Sequence, residues 1–257
     1  TQGPNPQPEG LAQPIPSSPI PAIDSLWGYG NATPQQAARH FALAGDLLIE
    51  AVQRNPVVGK HVVPVSAQIP PHEGHASVAS AGLAVTPEHF DHIRALWGNP
   101  PLSAVPAGVG VEEIELKVEM PDGTRRILDI LRDTPDSERK TITKFIQGQG
   151  EGIQQGEVWT DDIHAAAAEI AKVAYDSKAK AGDPTSGLIK VDQAPRPGAN
   201  GTLVFFVLVT VDNGKKVLVE LVQRPHPQQI VVTEGLVKTW VKGNDAGMRP
   251  FFEGITP

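Results

Sequence analysis

The longest apolar run in the chain is Leu203-Val204-Phe205-Phe206-Val207-Leu208-Val209, and polar character resumes at Thr210. Beyond Asp212-Asn213-Gly214 the pattern returns through Val217-Leu218-Val219-Glu220-Leu221-Val222. Asn and Gly tolerate the positive φ of a tight turn, so these two runs predict a hairpin. Apolar runs at 230–232 and 236–241 predict a third strand and hence an antiparallel meander. A strand that is apolar on both faces needs cover. The nearest candidate follows Thr160-Asp161-Asp162, where Ile163, Ala166, Ala167, Ile170, Ala171 and Ala174 recur at helical spacing. Acid in its first turn complements the helix dipole, and small side chains let a helix lie close on a sheet.

Upstream, Thr33-Pro34-Gln35-Gln36 has the chemistry of a helix start, and Ala37, Phe41, Ala44, Leu48 and Val52 form one face as far as Asn55-Pro56. Val57 to Val65 predicts a short strand, and 66–85 a loop rich in small residues. Thr86-Pro87-Glu88 opens a second helix with Phe90, Ile93, Leu96 and Trp97 on its apolar face. Glu113 to Met120 alternates strictly, with Ile114, Leu116, Val118 and Met120 on one side and charge on the other, which predicts a half-buried strand. Ile127 to Leu131 returns after Pro121-Asp122-Gly123, and Thr141 to Ile146 adds a third strand. Gly148, Gly150, Gly152 and Gly156 predict a hinge. The expected fold is therefore α+β in two halves, each a helix plus antiparallel strands. The parts are a Pro-rich arm (1–28), an N-terminal domain (29–147), a Gly-rich hinge (148–158) and a C-terminal helix-plus-meander domain (159–257). No internal repeat of fixed period is present. The element order over 157–243 resembles the cystatin-like or NTF2-like layout; the resemblance carries no functional residue with it.

Composition narrows the function classes. A net charge of −7 over 257 residues, with no basic run, argues against nucleic acid as a partner. The absence of cysteine removes disulfides, thiol nucleophiles and thiolate metal sites. No apolar run reaches the ~18 residues of a membrane span. The 25 prolines are densest in the first 28 residues, at Pro4, Pro6, Pro8, Pro14, Pro16, Pro19 and Pro21, where they predict extended chain. As an ordered arm this segment would anchor on a neighbouring subunit through Ile20, Ile23, Leu26 and Trp27, with Phe251 and Phe252 as a second contact point.

Five of the eight histidines fall between His61 and His92. His72 and His75 lie in a loop, and His89 and His92 are three apart on a helix, able to face one ion. Imidazole with the neighbouring carboxylates suits a divalent transition metal such as zinc. Gly148-Gln149-Gly150-Glu151-Gly152 lacks the lysine of a phosphate loop, and Glu151 repels anions. No nucleophile elbow is present. Carboxylate pairs such as Glu112-Glu113 read as a solvated strand edge.

The expectation from these features is a non-enzymatic structural or interaction subunit of a multi-subunit assembly, of virion or cell-envelope secretion type. It would contact other protein subunits or copies of itself and need no cofactor, and a secreted, periplasmic or virion location is favoured over the cytoplasm. The alternatives are a metal-dependent hydrolase centred on His72, His75, His89 and His92, and a periplasmic or extracellular ligand-binding module.

Overall fold

One mixed sheet runs through the chain and sorts its apolar residues onto two faces. The computed structural model describes residues 21–63, 79–223, 230–233 and 236–240. Four helices are described: α1 (Pro34–Gln53), α2 (Pro87–Leu96), α3 (Thr141–Gln149) and α4 (Ile163–Val173). The strands are β1 (Ala79–Ala84), β2 (Val111–Glu119), β3 (Arg125–Asp133), β4 (Gly152–Thr160), β5 (Leu188–Lys190), β6 (Arg196–Pro197), β7 (Leu203–Thr210), β8 (Lys216–Gln223), β9 (Ile230–Thr233) and β10 (Leu236–Trp240). The main sheet has the order β2-β3-β1-β4-β8-β7-β5, with β6 paired to β7; β9 and β10 pair separately.

This sheet is built from the same unit twice. In the first, β1 leads through α2 and an isolated antiparallel bridge, Leu102 with Ile114, into the β2–β3 hairpin, and β3 lies parallel beside β1. In the second, β4 leads through α4 and β5 into the β7–β8 hairpin, and β8 lies parallel beside β4. Antiparallel pairing of β1 with β4 joins the two units. The repeat is one of topology, which explains why no sequence period marks it.

The fold therefore corrects the expected pair of α+β halves with a helix on an antiparallel meander. The hairpin turns at Asp212–Gly214, but β8 takes the parallel strand β4 as its second neighbour, and β9 pairs with β10. Residues 148–158, expected as a hinge, form the end of α3 and most of β4 in the middle of the sheet. Thr141 to Ile146, expected as a strand, is helical: Ile142, Phe145 and Ile146 share a face at spacings of three and four, and they pack with Ala84 and Leu131. The helix has a long-range cap, because the Asp133 carboxylate accepts hydrogen bonds from the backbone N–H of Ile142 (3.2 Å) and Thr143 (2.7 Å). Asp133→Ala is expected to cost about 1–2 kcal/mol in urea unfolding, the usual value of a lost N-terminal cap. The expected strand from Val57 is a 3-10 turn at Val58–His61.

The helical face of the sheet carries the two larger cores. In the first, Leu83, Ile114, Leu116, Leu128 and Ile130 meet Phe90 and Ile93 of α2 and Ala37, Ala38 and Ala42 of α1. In the second, Phe205, Val207, Val209, Val219 and Leu221 meet Ile163, Ala166 and Ile170 of α4 and Ile49 and Val52 of α1. Helix α1 thus bridges both units. Among the described residues, the opposite face has two small apolar clusters, at Ala84–Leu131–Ile142 and at Trp159–Val204–Val222, and the polar groups lie between them.

Candidate functional site

Residues of one parity along neighbouring strands share a face. Register places Glu115 of β2 opposite Asp129 of β3, Asp129 opposite Gly82 of β1, and Gly82 opposite Gln155 of β4. Glu157 follows two residues along β4 and stands opposite Glu220 of β8, while Glu113 flanks Glu115 on β2. A row of five carboxyls and one amide thus crosses the sheet on the face away from α1. Gly82 makes the crossing feasible: a Cβ there would sit 2.8 Å from Gln155 Cγ and 3.0 Å from Leu131 Cδ1. The loop-like composition of this stretch, Ala79-Ser80-Ala81-Gly82-Leu83-Ala84, is that of a central strand with bulky neighbours on its open face.

Two groups of contacts make up the row. Carboxylate oxygens of Glu113, Glu115 and Asp129 lie within 4.8 Å of one another. Asp129 Oδ1 is buried with no hydrogen-bond partner. Beside them, Gln155 Nε2 donates to Glu157 Oε1 at 2.8 Å and to Glu220 Oε2 at 2.6 Å. Glu157 also neighbours Asp129 and Glu220 closely enough for their carboxyls to influence one another. Carboxyls set this close disfavour one another's ionised form, because each charge raises the cost of the next. Burial acts the same way and is the larger effect. It raises Glu113 to about 7, helped by the charge of Glu115 and opposed by a hydrogen bond from Ser103. It raises Glu220 to about 8, helped by Glu113 and opposed by Arg196. Asp129 and Glu157 are also pushed well above the carboxylate range, by burial first and then by neighbouring acids.

The sequence-predicted histidine site is placed differently. His89 stacks on Trp27 with ring centroids 3.9 Å apart, and its Nδ1 lies 2.7 Å from Glu151 Oε1. The same Glu151 oxygen accepts from Thr86 N–H at 2.8 Å, so this acid completes the start of α2. His92 is exposed one turn along, and His72 and His75 lie outside the described residues. Of the expected anchor residues, Leu26 and Trp27 are buried in the chain's own core and Ile23 packs against it, while Ile20, Phe251 and Phe252 lie outside the described residues. Trp97 Nε1 donates to Leu26 O at 3.4 Å and fixes this turn to α2.

The expectation of a non-enzymatic structural or interaction subunit is corrected here. What is described of the arm docks on its own domain, and the distinctive feature of the chain is an internal acidic site. Sequence reasoning treated Glu112-Glu113 as a solvated edge and passed over Asp129, Glu157 and Glu220. A signal was available: Asp129 and Glu220 are single acids inside apolar strand runs, Ile127-Leu128-Asp129-Ile130-Leu131 and Val217 to Val222. Lone acids in such runs are unusual unless partnered or functional.

No protein-family model matches the chain, and no curated protein does. Among solved structures, a methylmalonyl-CoA epimerase of Streptomyces coelicolor aligns at 27% identity, over 56% of this chain and 90% of that one, with a TM-score of 0.39. The methylmalonyl-CoA epimerase of Mycobacterium tuberculosis aligns at 24% identity over 58% of this chain and 87% of its own length, at 0.39. A hypothetical protein of Bacillus halodurans C-125 aligns at 24% identity over 57% and 92%, also at 0.39. No helix among the described residues is long and apolar enough to cross a membrane.

Proposed function

We propose that the protein is an enzyme whose centre is a divalent cation held by Glu113, Glu115 and Asp129, with Glu157 and Glu220 as neighbouring proton carriers. The observation that supports this most is the buried Asp129 Oδ1, unpartnered among three carboxyls whose oxygens lie within 4.8 Å. An unsatisfied carboxylate oxygen inside a protein costs ~1–3 kcal/mol or more, and a cation removes that cost along with the mutual repulsion. An all-oxygen donor set suits hard ions such as Mg²⁺, Mn²⁺ or Ca²⁺ over zinc, which prefers nitrogen and sulfur.

A cation at this position would polarise a carbonyl or carboxylate oxygen of a bound small molecule. Burial raises Glu220 to about 8 and pushes Glu157 up as well, the direction that keeps a proton available for exchange with carbon. Gln155 orients both by donating to each. The reaction class this favours is proton transfer at a carbon next to a carbonyl.

Calorimetric titration with Mn²⁺ and Mg²⁺ tests the centre directly. The expected result is one equivalent bound, a raised melting temperature, and affinity weakened about a hundredfold in Asp129→Asn. Absence of binding in the unaltered protein, or equal binding in Asp129→Asn, overturns the assignment.

A further inference from the structure

A groove of about 520 Å³ opens beside the acidic row, between α1, α3 and the β7–β8 hairpin. Its walls are mostly apolar, with Leu47, Phe145, Leu208 and Leu218 among them, and Gln155 is shared with the acidic row. In a chain with 29 acids and 22 bases, none of the groove's lining residues is acidic, and Lys215 and Lys216 stand at its rim. Leu47 is 65% exposed and adds open apolar surface to the groove wall. Gln154, also in the lining, has a buried Oε1 without a hydrogen-bond partner.

Strand geometry orders these features. Lys216, Leu218 and Glu220 are alternate residues of β8 and share a face, and Leu218 stands opposite Leu208. At ~3.3 Å per residue, Lys216 and Glu220 are about 13 Å apart along the strand. We infer that this groove holds the substrate's body, and that the substrate is an amphipathic anion. Its anionic end pairs with Lys216, an aliphatic chain of roughly ten carbons lies over Leu208 and Leu218, and its reacting end reaches Gln155 and Glu220. The position of the reacting end rests on the acidic-centre reading above; binding in the groove does not.

The test uses dansylated undecanoic acid, whose fluorescence rises on leaving water, displaced by octanoate, decanoate, dodecanoate or hexadecanoate. Expected are saturable binding, tightest displacement near decanoate, and about tenfold weaker binding in Lys216→Glu, where attraction becomes repulsion. Lys216 is exposed at the hairpin end, and an unchanged melting temperature shows that the variant folds. No binding, binding indifferent to Lys216→Glu, or displacement independent of chain length overturns the inference. Manganese titration of the same samples separates the two readings. Probe binding without cation binding removes the acidic-centre assignment and leaves the groove; cation binding without probe binding does the reverse.

Discussion

The cation-free protein loses stability as pH rises through neutrality, opposite to the trend set by salt-bridged carboxylates. Glu113 and Glu220 have an ordinary value of 4.5, and burial moves them to about 7 and about 8 in the folded state. Between the unfolded and folded values the native chain binds more protons than the unfolded chain, so unfolding free energy falls with pH. Their stabilising contribution is full below 4.5 and is lost as pH climbs through about 7 and then about 8. For Glu113 alone the loss is on the order of 3 kcal/mol. Asp122 and Asp183, which are exposed, and the half-buried Asp176 act in the other direction. Hydrogen bonds within their turns lower their pKa values, so what they contribute disappears only in stronger acid. Urea unfolding in chelator from acid to mildly alkaline pH should therefore show an optimum on the acid side of neutrality. Glu220→Gln should flatten the alkaline decline, and saturating Mn²⁺ should reduce it, because a bound cation favours the ionised acids. A profile that is level or rises from pH 5 to 9 would show that these carboxyls ionise freely.

Gly82→Val should be the most damaging single substitution among the glycines of the sheet. Its Cβ would lie 2.8 Å from Gln155 Cγ and 3.0 Å from Leu131 Cδ1, and valine adds two methyl groups to that collision. β1 is held between β3 and β4, so the backbone has no free edge toward which to move. Overpacking of this kind costs about 1–3 kcal/mol, and displacement of Gln155 from Glu157 and Glu220 adds to it. The expected result is a loss of about 3 kcal/mol or more in urea unfolding together with impaired Mn²⁺ binding. Gly148→Ala provides the contrast. Gly148 lies in α3, and an added Cβ meets nothing within 4 Å. Alanine there should stabilise the protein by about 0.5–1 kcal/mol through helix propensity. Equal effects at the two positions would refute the close-approach account of Gly82.

Local elements whose ends are marked by short-range chemistry were legible. The Thr33–Gln36 capping box opens α1, Thr86 caps α2, Asp162 caps α4, and the Asn213-Gly214 turn joins β7 to β8. The strict alternation of β2 also gave its buried face, Ile114, Leu116 and Val118. The segments misread are those whose conformation is set by distant neighbours. β1 looks like a loop because its bulky contacts come from Leu131 and Gln155, and α3 begins where Asp133 supplies its cap.

Sequence by itself determined which residues alternate, where most helices start, and that Asp129 and Glu220 sit within apolar strand runs. Only the tertiary structure decided which strands become neighbours, because parallel pairs such as β1–β3 and β4–β8 join segments that no turn connects. That pairing brings Glu113, Glu115, Asp129, Glu157 and Glu220 from four strands onto one face. The raised pKa values of Glu113, Asp129, Glu157 and Glu220 follow from mutual proximity and exclusion of water, which no single stretch of chain encodes.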